Sequence, residues 1–109
     1  AVEGPWNFGP SPDATLPVQA LVAAMQLHWP ALHSANQPGP HPHEAKILQL
    51  DSSRAKEHLG WRPVWDADTT LQSTVQWYRD FYERHHLHSR ENLQAYVETA
   101  RSTGLEWAA

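Results

Sequence analysis

The feature that most constrains this chain is the stretch of residues 51–63, Asp-Ser-Ser-Arg-Ala-Lys-Glu-His-Leu-Gly-Trp-Arg-Pro. Asp51 can accept hydrogen bonds from the free backbone N–H groups that begin a helix, and Gly60 can supply the left-handed residue that ends one. Trp61 can fold back onto the helix, and Pro63 blocks its continuation. Because a helix of two turns is marginal in water, the pattern predicts a short helix within a larger packed unit.

Size and composition limit the class of protein. A chain of 109 residues with 40% apolar residues suits one domain with a modest core. The net charge of −4, without a basic stripe, argues against nucleic acid as a partner. The absence of cysteine excludes disulfides, thiolate catalysis and thiolate zinc sites. No apolar run approaches the ~20 residues of a membrane helix, so we expect a soluble, cytoplasmic protein with no membrane partner.

Three longer helices are predicted from apolar residues that recur at helical spacing. Signals for starting and stopping a helix flank each apolar stripe. The expected boundaries are Pro17 and Pro30 for the first helix, a cap at Asp66 or Asp68 for the second, and Ser89 and Gly104 for the third.

Short strands are predicted at residues 6–8, 31–33 and 46–50, where apolar or aromatic residues are bounded by turn residues. The predicted fold class is therefore α+β and helix-dominated. The first strand has no obvious neighbour in the chain, so we expect its open edge to be covered by a partner.

The densest polar cluster is His41-Pro42-His43-Glu44, immediately before the third predicted strand. Imidazole and carboxylate groups this close can bind a metal, transfer protons, or hold the hydroxyls of a sugar or nucleotide. A metal site needs three or four converging ligands, and Pro42 stiffens the only pair available. The alternative is a solvated loop in which His43 or Glu44 ties down local backbone.

Two further groups of polar residues have open interpretations. Asn7, in the first predicted strand, either pairs with the adjacent Gly-Pro loop or reaches a ligand. His85, His86 and His88 lie at the predicted end of a long helix, where imidazole interacts favourably with the helix dipole. We interpret the histidines as residues at the end of a surface helix, and a histidine-based metal site is the alternative.

The residues of a complete catalytic site are missing. The five glycines are dispersed at turns and form no phosphate-binding loop. No Tyr is followed four residues later by Lys, and no Ser or Thr stands in a nucleophile elbow. We therefore assign no catalytic residue, no cofactor-binding residue and no metal ligand.

Several motifs together resemble the carboxy-terminal portion of the CDP-glucose 4,6-dehydratases, which belong to the extended short-chain dehydrogenase/reductase superfamily. Asp51-Ser-Ser-Arg-Ala55 with Leu59-Gly-Trp-Arg-Pro63 is similar to a motif shared by nucleotide-sugar epimerases and dehydratases. Trp6-Asn-Phe-Gly-Pro-Ser11 with Pro42-His-Glu-Ala45 points more narrowly to the CDP-glucose branch.

The resemblance implies that residues 1–109 are a small substrate-binding domain, a fragment of a longer chain whose amino-terminal Rossmann domain is missing. In these enzymes the Rossmann domain holds NAD and the catalytic Tyr and Lys, and the smaller lobe closes over the nucleotide sugar. The parent enzyme is then an NAD-dependent lyase, and a homodimer, that converts CDP-glucose to CDP-4-keto-6-deoxyglucose and water in polysaccharide biosynthesis. We expect this chain alone to bind no NAD and to be inactive.

The resemblance also implies three substrate-binding residues, Asn7, His43 and Glu44. Arg54 stands where Lys is more usual, and we expect little effect from that difference. The alternative function is a stand-alone, non-catalytic helical interaction module derived from the same fold.

Overall fold

The computed structural model describes residues 2–40 and 49–109 of the chain. Its helices within those residues are α1 (Val18–His28), α2 (Ser53–Leu59), α3 (Ala67–Arg84) and α4 (Ser89–Ser102), with 3₁₀ turns at Pro12–Ala14 and Glu106–Ala108. The three longer helices and the short one predicted from the sequence are all present. None of the helices in these two ranges is long and apolar enough to cross a membrane.

The strands predicted from the sequence do not form within the described ranges. Residues 6–8 pair with no strand among residues 2–40 and 49–109, and they place aromatic rings near α2. Residues 31–33 follow a turn in which the Leu32 N–H donates to the Trp29 carbonyl. Of the third predicted strand, residues 46–48 lie outside the described residues, and Gln49 and Leu50 are not in a strand. The α+β prediction is therefore wrong for the described residues, because a strand needs a hydrogen-bonded neighbour that they do not supply.

Helix α2 ends where its sequence signals predict and begins one residue later than a cap at Asp51 would place it. The Asp51 carboxylate accepts a hydrogen bond from the Ser53 N–H at 2.9 Å, and Ser52 is the residue that flanks the helix. At the other end Gly60 is left-handed, with φ of 62°, and the Trp61 N–H donates to the Ala55 carbonyl at 3.2 Å. The side chain of Ala55 is fully buried. The short helix therefore packs within a larger unit, as expected of a helix too short to be stable alone.

The carboxyl end of α1 is fixed against α3. The Trp29 ring stacks on Tyr82 with centroids 6.3 Å apart, and its indole N–H donates to Glu83 at 3.1 Å. Glu83 also accepts from Arg79 at 3.0 Å, and Arg79 donates to the carbonyl of His28. One carboxylate thus joins an indole from α1 to a guanidinium on α3.

Two other tryptophans join α4 to the segments that precede it. The Trp77 indole N–H on α3 donates to the Ser89 hydroxyl at 2.9 Å, where α4 begins. Trp65, between α2 and α3, donates to the Thr99 hydroxyl at 3.3 Å and packs edge-on against Tyr96. Tryptophan is suited to such positions because its ring buries apolar area while its N–H retains a hydrogen-bond partner.

The buried core is thin. Its apolar members among the described residues are Ala55, Val75, Ala100 and Ala108. The radius of gyration of the Cα atoms is 16.9 Å, whereas a compact chain of this length has about 13 Å. Many large apolar side chains therefore remain in contact with solvent, including Leu27, which is 82% exposed.

Candidate functional site

Asn7 lies in an extended segment that packs along α2. The Arg54 guanidinium lies over the Trp6 ring, 4.4 Å from its centroid, and donates to the Pro5 carbonyl at 3.0 Å. On the other side of Asn7, the Phe8 ring meets the Trp61 ring edge-on, with centroids 5.1 Å apart. Two aromatic contacts thus hold the backbone on either side of Asn7.

The side chain of Asn7 is exposed between these two anchors. Alternate side chains of an extended chain point to opposite sides, so the contacts of Trp6 with α2 and of Phe8 with Trp61, just after α2, favour an outward Asn7. Its amide forms no hydrogen bond with another described residue. Of the two interpretations that the sequence left open, pairing with the Gly-Pro loop is therefore not seen within those residues, and binding of a ligand by Asn7 stays a prediction.

Gly9 marks the closest approach of this segment to the residues before α2. A Cβ atom built at Gly9 would lie 3.2 Å from the Leu50 Cβ and 3.4 Å from the Ser52 hydroxyl oxygen. The 3.2 Å distance is tighter than ordinary contact, so a larger residue would require Leu50 or the segment to shift by a few tenths of an ångström. Glycine at this position therefore allows the segment to lie close to the residues that precede α2.

A half-open cavity of about 360 Å³ lies next to this segment. A cavity of this size suits part of a small-molecule ligand, and pockets of this kind are mostly apolar with a few polar groups. The polar lining comes from Thr15 and Gln49, whose side chains hydrogen-bond to each other. Its lining residues are Pro10, Pro12, Ala14, Thr15, Leu16, Leu21, Gln49 and Leu50.

The residues that line the cavity are close in sequence to the predicted substrate-binding residues. Asn7 does not line it and stands three residues before Pro10, the first lining residue. His43 and Glu44 lie outside the described residues, and Gln49 directly follows that part of the chain. Sequence reasoning missed Gln49 and the Pro10 loop as parts of a site. Pro10 lies within the Trp6–Ser11 motif and Gln49 lies four residues after the Pro42–Ala45 motif, so the family motifs themselves were the signal.

A second cluster of polar residues lies at the junction of α3 and α4. Helix α3 ends at Arg84, so the expectation that the histidines occupy its last turn is wrong. His85 is left-handed with φ of 54° and ends the helix, which turns the chain sharply. As a result the two following histidines leave the helix surface: the His86 Nε2 lies 3.3 Å from Glu91, and the His88 Nε2 lies 3.4 Å from Asp80.

The two carboxylates of this cluster are held in their charged form. A hydrogen bond from the Gln76 side chain lowers the pKa of Asp80, with further lowering by Arg84, His88 and His86 that together outweighs the opposing effect of burial. The pKa of Glu91 is lowered first by its own backbone N–H and then by the neighbouring histidines. Asp80 is buried, whereas Glu91 is exposed. The junction thus presents one buried and one exposed anion to a pair of imidazoles.

Comparison with known proteins gives one strong similarity. The chain is 40% identical over 75 residues to the CDP-glucose 4,6-dehydratase of Salmonella typhimurium (strain LT2). The aligned region covers 68% of this chain and 21% of the dehydratase, so the chain spans about a fifth of that protein's length. No protein-family model and no solved structure matches the chain. The resemblance to CDP-glucose 4,6-dehydratase predicted from the motifs is thereby confirmed over about two thirds of the chain.

Proposed function

We propose that this chain is the substrate-binding lobe of a CDP-glucose 4,6-dehydratase. The observation that carries the proposal is the 40% identity over 75 residues to the Salmonella enzyme of that name. In the proposed parent enzyme, CDP-glucose loses water and becomes CDP-4-keto-6-deoxyglucose. The lobe contributes contacts to the nucleotide sugar, and the residues of the redox step belong to the rest of the enzyme.

The proposed contacts come from Asn7, His43 and Glu44. The amide of Asn7 offers both a donor and an acceptor, which suits the edge of a base or the hydroxyls of a sugar. An imidazole and a carboxylate from His43 and Glu44 can orient further hydroxyls. The position of the cavity supports this assignment, because it is lined by residues that follow Asn7 and by Gln49, which follows His43 and Glu44 in the chain.

The apolar surface of the helices supports a lobe that packs against further protein. Tyr82 and Leu93 are each 64% exposed, and Leu27 is 82% exposed, although all three are on regular helices. Apolar side chains left in water this way would gain free energy if further protein covered them. We propose that the Rossmann domain of the parent enzyme covers part of it, and that this lobe occupies the carboxy-terminal portion.

The residues of this chain do not fit a dinucleotide cofactor. A dinucleotide fold binds pyrophosphate with closely spaced glycines between a strand and a helix. Here Gly39, Gly60 and Gly104 stand at separate turns with positive φ, and a Cβ at each would meet no atom within 4 Å. Glycines at such open positions do not form a binding surface for a pyrophosphate group. We therefore place NAD in the proposed parent on its other domain.

The proposal is tested by titrating the ¹⁵N-labelled chain with CDP-glucose and following backbone amide resonances. We expect weak binding, since the lobe supplies only part of the ligand's contacts, with shifts at residues 7–16 and 49–50. Asn7→Ala should reduce these shifts. The matched control is Gln94→Ala, an exposed amide side chain on α4 away from the cavity, and it should leave them unchanged.

Several results would contradict this proposal. They are shifts confined to α4, equal titrations for the Asn7 and Gln94 variants, or submicromolar affinity in calorimetry. Formation of a keto-sugar by the chain with CDP-glucose and NAD would contradict the assignment of the redox residues to another domain.

The exposed apolar surface also supports a second function, a stand-alone helical interaction module. The two functions differ in whether the lobe is part of a longer chain that includes a Rossmann domain. Sequencing the genomic reading frame around these residues distinguishes them, because the dehydratase requires a Rossmann domain upstream in the same frame. A frame that encodes no such domain favours the interaction module.

A further inference from the structure

The junction of α3 and α4 brings three potential metal ligands together. His86 and His88 come from the linker and Glu91 from the first turn of α4. One ligand atom from each lies within 4.8 Å of the others. The two imidazole rings are 4.7 Å apart and nearly perpendicular, which allows a nitrogen of each to approach the same point. The arrangement arises because the left-handed His85 turns the linker back toward α4.

These distances suit a site that closes slightly on binding. Zinc binds His nitrogen and carboxylate oxygen at about 2.0–2.2 Å with tetrahedral geometry, so bound ligand atoms lie roughly 3.3 Å apart. The widest separation here therefore needs to shrink by about 1.5 Å. The side chains of His86 and Glu91 are about half exposed, at 52% and 50%, and can rotate to do so. Two imidazoles and one carboxylate form a known zinc ligand set, with water in the fourth position.

His88 carries the observation that distinguishes this cluster from a chance grouping of surface histidines. Its Nε2 lies 3.4 Å from the Asp80 carboxylate, which is buried beneath it. Its Nδ1 is shielded from solvent and has no hydrogen-bond partner within the described residues. A buried nitrogen left unpaired costs free energy, which a bound ion would recover. An imidazole that contacts a carboxylate through one nitrogen and a metal through the other is a common arrangement at metal sites.

We propose that His86, His88 and Glu91 bind a divalent transition-metal ion, for which zinc is the best candidate, and that Asp80 is the positioning residue for His88. The bound ion joins the linker to the first turn of α4, and the contact of His88 with Asp80 joins this junction to α3. This site is distinct from the proposed nucleotide-sugar site and does not depend on it. The proposed metal site differs from the interpretation favoured by the sequence, in which these histidines only mark the end of a surface helix.

The first test is thermal unfolding of chelator-treated protein with added zinc. We expect Tm to rise by roughly 10 °C at free zinc concentrations about one hundred times the Kd, and not with magnesium, which prefers oxygen ligands. Calorimetric titration should give one zinc per chain. Failure of zinc to raise Tm, or equal stabilisation by magnesium, would overturn the proposal.

Variants locate the site within the chain. His86→Ala, His88→Ala and Glu91→Gln should each abolish the rise in Tm, whereas His43→Ala, in the other histidine-rich segment, should retain it. Zinc stabilisation that survives loss of His86 and His88, or that is lost with His43, would refute this location. Circular dichroism of each metal-free variant establishes that it is folded before zinc is added.

Asp80→Asn tests the positioning residue with nearly unchanged side-chain volume. We expect the zinc Kd, measured by competition with a chromophoric chelator, to increase about tenfold or more. NMR of the histidine rings provides a readout that a purely structural role would not change: zinc should shift the His86 and His88 ring resonances in the wild-type chain. Unchanged ring resonances at saturating zinc would refute direct ligation, whatever the variants show.

Discussion

The Arg54 guanidinium carbon lies 4.4 Å from the centroid of the Trp6 ring, and the same guanidinium donates to the Pro5 carbonyl. This contact joins the segment that carries Asn7 to α2. Lysine in its place would keep the charge but lose the planar group that stacks and donates at once. The sequence-based expectation that arginine here has little effect did not foresee either contact.

Removal of this contact should weaken the whole chain. We expect Arg54→Ala to lower the free energy of unfolding by about 1 kcal/mol, the combined order of an exposed cation–π contact and one hydrogen bond. Arg54→Lys should give a smaller loss. Urea denaturation measures both, with Arg90→Ala on the exposed surface of α4 as the control. Equal stabilities of the Arg54 and Arg90 variants would show that the stacking contributes nothing.

Val75 is the largest fully buried side chain of the described residues. Val75→Ala removes two methyl groups and leaves a cavity in a core that has few other apolar members. We expect a loss of about 2 kcal/mol in the free energy of unfolding. Val18→Ala is the matched control, because Val18 is 75% exposed at the start of α1. Chemical denaturation measures the free energy of unfolding of both variants. Similar losses for Val75→Ala and Val18→Ala would contradict this assignment of the core.

Gly60 tests the backbone geometry at the end of α2. Its φ is 62°, and an added Cβ would meet no atom within 4 Å, so the cost of a side chain here is conformational. We expect Gly60→Ala to destabilise the chain by about 1 kcal/mol. Gly60→Asn should cost less, since asparagine tolerates the left-handed region. Thermal unfolding that ranks the two variants in the opposite order would argue against a left-handed residue at this position.

Acid should weaken the start of α3 through Asp66. The Thr69 N–H donates to its carboxylate at 2.8 Å, and hydrogen bonds from Thr69 lower the pKa of Asp66 below its ordinary value of 3.8. A lowered folded-state pKa means that this stabilisation is complete above the ordinary value and decreases as the pH falls through the folded pKa. Stability contributed by Asp66 should therefore be lost below about pH 4.

Asp66→Asn provides the comparison for this pH dependence, because asparagine can still accept the hydrogen bond but does not titrate. Denaturation at a series of pH values should show the wild-type chain more stable at neutral pH, with the difference decreasing in acid. A wild-type advantage that persists unchanged at pH 2 would exclude a titrating cap.

The helices could be predicted because their start and stop signals are local. Asp66 caps α3, Gly60 ends α2, and Gly104 follows α4, each through contacts with residues a few positions away. Such signals are contained in a short stretch of sequence and do not depend on the rest of the fold. Helix number, order and approximate length follow from them.

The absence of strands and the contacts at the sites could not be predicted from the spacing of residues in the sequence. Residues 6–8 have the composition of a strand, yet Trp6 and Phe8 pack rings near α2, a contact across more than forty residues. The proximity of Asp80 and Glu91 to the histidines depends on the turn at His85. Contacts of this kind can be identified only from the three-dimensional arrangement of the helices.

The indole hydrogen bonds at Trp29, Trp65 and Trp77 have a practical consequence for spectroscopy. Each donates to a residue of a helix to which the tryptophan itself does not belong: Glu83 on α3 for Trp29, and Thr99 and Ser89 on α4 for Trp65 and Trp77. A chain that retains one of these indoles, with phenylalanine at the other tryptophans, would carry a fluorescence reporter at a single contact between segments. Their emission shifts during denaturation would reveal whether the helices separate together or one after another.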